Sequence, residues 1–166
     1  MLVVQASCMS VLWVCIGCAV SAIAADVSPG SGVSDKMVVQ VQLVTPSQAF
    51  HVAYQDYLRG NYDLAITELQ KFVKDFPESS LAGEAYFYIG ECYEQQKNLK
   101  EAARALTILI QDYKESRQRP AALFKLGKIM EKVDQPHKAK ANWSILINEY
   151  PGTPEAKLAS RHLKRM

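Results

Sequence analysis

Several side chains in this sequence are of types that could do chemistry, and none is spaced for it. His51, His137 and His162 lie far apart and lack the short intervals of metal ligands. Cys15-Ile16-Gly17-Cys18 has the Cys-x-x-Cys form of a redox pair, but it sits inside an apolar run with no strand before it. Cys92 stands apart from the other cysteines. A nucleophilic cysteine needs a base, and nothing local supplies one, so Cys92 reads as a small apolar residue in a helix. Glu91 and Glu94 read as a solvated helix face rather than an acid–base dyad. There is no Gly-rich phosphate loop and no Gly-x-Ser-x-Gly elbow. Asn142-Trp143-Ser144 matches a glycosylation acceptor, yet Trp143 falls at a packing position of a helix, so the match is chance. The expectation is a protein that is not an enzyme and holds no metal or cofactor. Its function must then lie in what its surface binds.

The chain has 166 residues, with 22% charged, 49% hydrophobic and a formal net charge of +2. That balance argues against a disordered tail and against a strongly basic nucleic-acid binder. The charges are unevenly placed, because none occurs before Asp26. Val11 to Ala25 is an apolar run that ends in small residues and is followed by DVSPGSGVSD. This is the pattern of a secretory signal peptide, residues 1–24, with Ala22 and Ala24 placing cleavage after Ala24. The expected location is the periplasm. No Lys or Arg precedes the run, and an uncleaved anchor is the competing reading. A third reading is lipidation at Cys18, since Ile16-Gly17-Cys18 resembles the end of a lipobox. Membrane contact is expected only through this N-terminus. Cleavage would leave Cys92 as the single thiol, so stability must come from packing.

Self-comparison at an offset of 37 residues aligns three segments without a gap. Ala65, Ala102 and Ala139 coincide, as do Leu69, Leu106 and Trp143, and Phe76, Tyr113 and Tyr150. Val52, Ile89 and Leu126 precede Ala53, Gly90 and Gly127. Within the middle unit Tyr86, Ile89, Gly90 and Tyr93 fall on one helical face, and Ala102, Leu106, Leu109, Ile110 and Tyr113 form a second. Each unit is therefore a helix pair. Gly60-Asn61 marks a turn between paired helices, and Pro77 and Pro151 stop second helices. The small residues at 53, 90 and 127, and at 65, 102 and 139, let the paired helices approach closely.

This pattern resembles the tetratricopeptide repeat. The implied fold is an all-α tetratricopeptide repeat α-solenoid of three helix-pair repeats of 37 residues, about 47–83, 84–120 and 121–157, plus a capping helix at 155–166. The repeat domain spans 47–166 and a flexible linker spans 25–46. The first unit departs most from the motif, with Ala49 and Asp56 where large residues belong. In the cap, Ala156, Ala159 and Leu163 face the stack, while Lys157, Arg161, His162, Lys164 and Arg165 face water.

The stretch from Ser47 onward also resembles the periplasmic cell-division coordinator family of the Tol–Pal system (YbgF/CpoB). The resemblance rests on the 37-residue spacing and on YDLAITELQKFVKDFPESSLAGEAYFYIGECY. It rests above all on the ending FKLGKIMEKVDQPHKAKANWSILINEYPGTPEAKLASRHLK. It implies an adaptor for envelope proteins, with TolA-like and peptidoglycan synthase-like partners. The trimerising coiled coil of that family has no counterpart here, because the linker shows period-two alternation at Val39, Val41 and Leu43 and carries Pro29, Gly30 and Gly32. A monomer is expected. The alternative is a membrane-tethered tetratricopeptide lipoprotein scaffold of the outer-membrane protein assembly machinery type.

The repeat resemblance implies a concave groove lined by first helices. Its candidate partner-binding residues are Phe50, Tyr54 and Tyr57 in unit one, Phe87, Glu91 and Glu94 in unit two, and Phe124 and Lys128 in unit three. Phe50, Phe87 and Phe124 recur at the repeat interval. Such a stripe either anchors a partner or packs between neighbouring units. Tyr54 is expected to lack a packing duty. Charge runs in one direction: residues 47–83 carry three basic and five acidic side chains, and residues 121–157 carry six and four.

Overall fold

The structure, a computed structural model, describes residues 45–165. The presequence, its cleavage after Ala24, Cys18 and all but the end of the linker lie outside the described residues. Within them the chain forms seven helices and no strand: α1 (Pro46–Leu58), α2 (Tyr62–Asp75), α3 (Ala82–Gln95), α4 (Leu99–Asp112), α5 (Arg119–Lys132), α6 (Pro136–Glu149) and α7 (Pro154–Leu163). Helices α2, α4 and α6 begin 37 residues apart, and so do α3 and α5. The sequence period is thus the structural period, and the fold is an α-solenoid of three helix pairs and a cap.

Local chemistry sets the boundaries. Thr45 caps α1 in a capping box with Gln48, ahead of Pro46 at the first helical turn. Asn98 caps α4 and Thr153 caps α7. Each first helix ends the same way. The N–H groups of Gly60 and Asn61 donate to the carbonyls of Tyr57 and Asp56. Lys97 and Asn98 repeat this on Glu94 and Tyr93, and Asp134 and Gln135 on Glu131 and Met130. These are three Schellman turns, with Gly60, Lys97 and Asp134 at positive φ. Only the first uses the glycine that such a backbone favours.

Packing follows the period as well. Ala53, Ala65, Ala102 and Ala139 are fully buried where paired helices cross. At position 127 a Cβ would collide with the Trp143 indole, and at position 90 it would come within 2.9 Å of Leu106. The core is built between units. Leu69, Phe72 and Ile89 pack together from α2 and α3. Leu106, Leu109 and Leu126 do so from α4 and α5, and Trp143, Leu146, Ala156 and Ala159 from α6 and α7. Each second helix is thereby held between its own first helix and the next.

One expectation is corrected here. His162 does not face water with the cations of the cap. Its ring lies 4.9 Å from Trp143 and 5.7 Å from Phe124, because α7 covers the end of the core at that register. Asp56, which replaces a large residue in unit one, is buried at 7% exposure and pairs with Arg59 at 3.6 Å.

Candidate partner-binding face

Helix α1 packs directly against α3, and α5 against α7, so the first helices and the cap approach one another on the inner side of the stack. Phe50, Tyr54 and Tyr57 fall four and three residues apart on α1, which aligns them on one face. Tyr54 stacks 6.1 Å from Phe50 and 5.9 Å from Tyr57. Tyr88 of α3 closes the cluster, 6.2, 4.8 and 5.0 Å from Phe50, Tyr54 and Tyr57. All four rings are half-buried. Tyr54 therefore does pack, contrary to expectation, because its neighbour in the next unit is an aromatic ring.

A polar ladder crosses the middle of this face. The Tyr57 hydroxyl donates to Glu91 Oε2 at 2.6 Å. Lys125 Nζ reaches Glu91 at 2.7 Å and Glu94 at 3.1 Å, and Lys132 Nζ reaches Glu94 at 3.2 Å. Glu91 and Glu94 are thus ion-paired and partly buried rather than simply solvated. Burial alone would raise the Glu94 carboxyl, but Lys125 and Lys132 outweigh it and hold the carboxyl below its ordinary value. Burial would lower Lys125, and the two glutamates reverse that and raise it. The Tyr57 hydroxyl is pushed upward by burial and by Glu91, and that of Tyr88 by burial and by Tyr54.

The phenylalanine stripe does not act as one unit. Phe87 is 8% exposed and belongs to the core with Leu106 and Leu126, beneath Lys125 Nζ at 5.9 Å. It packs between units rather than anchoring a partner. Phe124 is half-buried against Trp143 and His162, with Lys128 Nζ 6.0 Å above its ring. The Trp143 indole N–H donates to the Phe124 carbonyl at 3.2 Å. Glu131 faces His162 at 3.8 Å. The available surface is therefore graded. It is aromatic at Phe50, Tyr54 and Tyr57, internally ion-paired at Glu91 and Glu94 with Lys125 and Lys132, and cationic at Lys128.

Sequence reasoning missed Tyr88 and Lys125, which join the units. They share one register, 37 residues apart, with His51 before them. That recurrence was visible, but the groove positions implied by the repeat motif step over it. A second concavity of about 440 Å³ lies between α2, α3 and α4, lined by Gln70, Tyr86, Tyr93 and Arg104. Among the described residues no three His, Cys, Asp or Glu side chains are gathered as metal ligands. Burial, with Glu91 beside it, pushes the Cys92 thiol up to about 12, so it stays protonated.

Two tetratricopeptide-repeat family models match the chain, over residues 57–116 and 121–153. Similar folds include the Yersinia enterocolitica type III secretion chaperone SycD in complex with a peptide of the translocator YopD. It is 18% identical, with a TM-score of 0.58, over 72% of this chain and 86% of that one. PcrH in complex with the chaperone binding region of PopB is 11% identical, TM-score 0.57, over 79% and 94%. MamA is 21% identical, TM-score 0.57, over 78% and 74%. At these identities the likeness is one of fold. No curated protein matches the chain. The chain is a tetratricopeptide-repeat protein.

Proposed function

We propose that this tetratricopeptide-repeat protein is a non-enzymatic adaptor that works in the periplasm and holds a segment of another envelope protein on its inner face. The observation that carries this reading is the graded inner surface. Half-buried aromatic rings stand at one end and Lys128, over the Phe124 ring, at the other, and among the described residues no three His, Cys, Asp or Glu side chains are gathered as metal ligands. Amphipathic rings of this kind serve as anchors, since they bury large area with little loss of side-chain freedom. Two similar folds, SycD and PcrH, were solved with a partner segment bound, which supports the same use here. The apolar presequence supports export. The resemblance in the repeat region favours a partner of the TolA type and a role beside septal peptidoglycan synthesis. The protein acts as a monomer, because its linker lacks the heptads of a coiled coil.

The test is titration of the exported protein with a purified TolA-type periplasmic domain. Saturable one-to-one binding is expected, weakened by about 1–2 kcal/mol in Tyr54→Ala and again in Lys128→Glu. No binding by the unaltered protein sinks the Tol–Pal role. Binding that ignores both substitutions sinks the inner face as its site. The intact mass of the exported protein should lack residues 1–24, and a lipidated Cys18 would replace the periplasmic placement with an anchored one.

A further inference from the structure

Val52, Ile89 and Leu126 occupy one register of the three first helices. In units two and three that residue is covered by the second helix of the unit before. Ile89 is 3% exposed and packs with Leu69 and Phe72 of α2. Leu126 is 5% exposed and packs with Leu106 and Leu109 of α4. Val52 is 57% exposed, because no helix precedes α1 among the described residues. It borders a cleft of about 350 Å³ between α1 and α2, lined by Ala49, Phe72 and Phe76 with Glu68, Lys71 and Asp75 at its rim. Leu58 and Leu64 of the same helix pair are also exposed. The fold thus shows twice what covers this face: an amphipathic helix whose apolar residues recur at i, i+3, i+4 and i+7, as in Leu106, Leu109, Ile110 and Tyr113.

We propose that the outer face of the α1–α2 pair, centred on Val52, is a docking site for an amphipathic helix of a partner protein, with basic residues flanking its apolar stripe. The charge preference follows from the surroundings. Two acids face one lysine at the rim, and residues 47–83 carry five acidic and three basic side chains. The C-terminal end of α2 at Asp75 adds further partial negative charge. Residues 1–44 carry a single lysine against two aspartates, which does not supply the basic flank that this rim prefers, so the helix is assigned to another protein. Val52 lies two residues from both Phe50 and Tyr54, roughly 200° around α1, so this site is distinct from the inner aromatic cluster.

The probe is a hydrocarbon-stapled peptide of this chain's own residues 99–113, the helix that covers Leu126. Added to the full chain, it should bind saturably, and more tightly when it carries Glu101→Lys. Val52→Asp should weaken binding by roughly tenfold, while Lys128→Glu on the inner face should leave it unchanged. Val52 is exposed, so the variant should keep its helical circular dichroism, and Val52→Gln carries the same expectation. Absence of saturable binding, or binding indifferent to both Val52 substitutions, overturns the proposal. So does a dimer of the full chain that Val52→Asp dissociates, since a second copy would then occupy the face.

Discussion

Trp143 is the largest fully buried side chain among the described residues, and its removal measures how the third unit closes. It stands where the other units have leucine, and Gly127 makes room for its indole. Trp143→Ala should cost roughly 3–5 kcal/mol, and Gly127→Ala about 1–3 kcal/mol through overpacking, both by denaturant unfolding. A loss under about 1 kcal/mol for Trp143→Ala would mean that the ring is not core. The ladder of Tyr57, Glu91, Lys125 and Glu94 predicts a pH profile. The Glu94 pKa is depressed on folding, so its contribution is present above the ordinary carboxyl value of 4.5 and is lost as pH falls through the folded value. Lys125, Tyr57 and Tyr88 are raised, so theirs is present below ordinary values of 10.5 and 10.0 and is lost as pH rises through the folded values. The unfolding midpoint should be flat at roughly pH 6–9 and fall on both sides. Glu94→Gln should flatten the acid limb, and an unchanged limb would show that the pairing with Lys125 and Lys132 contributes nothing.

Helix ends hold the least optimised backbone. Gly60, Lys97 and Asp134 sit at the same left-handed position of three successive turns, with φ of 81°, 62° and 57°. Lys97 and Asp134 bear a Cβ there, which is unfavourable by roughly 1 kcal/mol or more. Lys97→Gly and Asp134→Gly should each raise stability by about 0.5–1 kcal/mol, and Gly60→Ala should lower it by a similar amount. Destabilisation by both glycine substitutions in equilibrium unfolding would show that the turns are not held in this conformation. Gly60-Asn61 announced its turn in the sequence. At Lys97 the sequence offers only the polar break Gln95-Gln96-Lys97-Asn98, and the hydrogen bonds from the Lys97 and Asn98 N–H groups to the Glu94 and Tyr93 carbonyls impose the left-handed backbone on a residue that does not favour it.

As a whole molecule the solenoid is held by neighbours only, so its ends govern its stability. Helix α7 covers Trp143 and Phe124 with Ala156, Ala159 and His162. A chain ending before Pro154 should lose about 2–4 kcal/mol and gain a tendency to aggregate, measured by thermal unfolding and light scattering. A midpoint unchanged by that truncation would mean that the cap is dispensable. The sequence by itself determined the helix pairs, their period and the small residues at their crossings. Those properties are local or repeat at a fixed interval, so a single chain displays them through hydrophobic spacing. It did not determine which aromatics face a partner. Phe50, Phe87 and Phe124 are equivalent in the sequence, yet one joins an aromatic cluster with Tyr88, one is core and one lies under a histidine of the cap. Each outcome depends on what the next unit places against the ring. The same holds for Glu91 and Glu94, whose partners Tyr57, Lys125 and Lys132 are 31 to 38 residues away in sequence. Only superposition of the units brings those side chains within hydrogen-bond distance, and the tertiary structure alone decided which surface was left for binding.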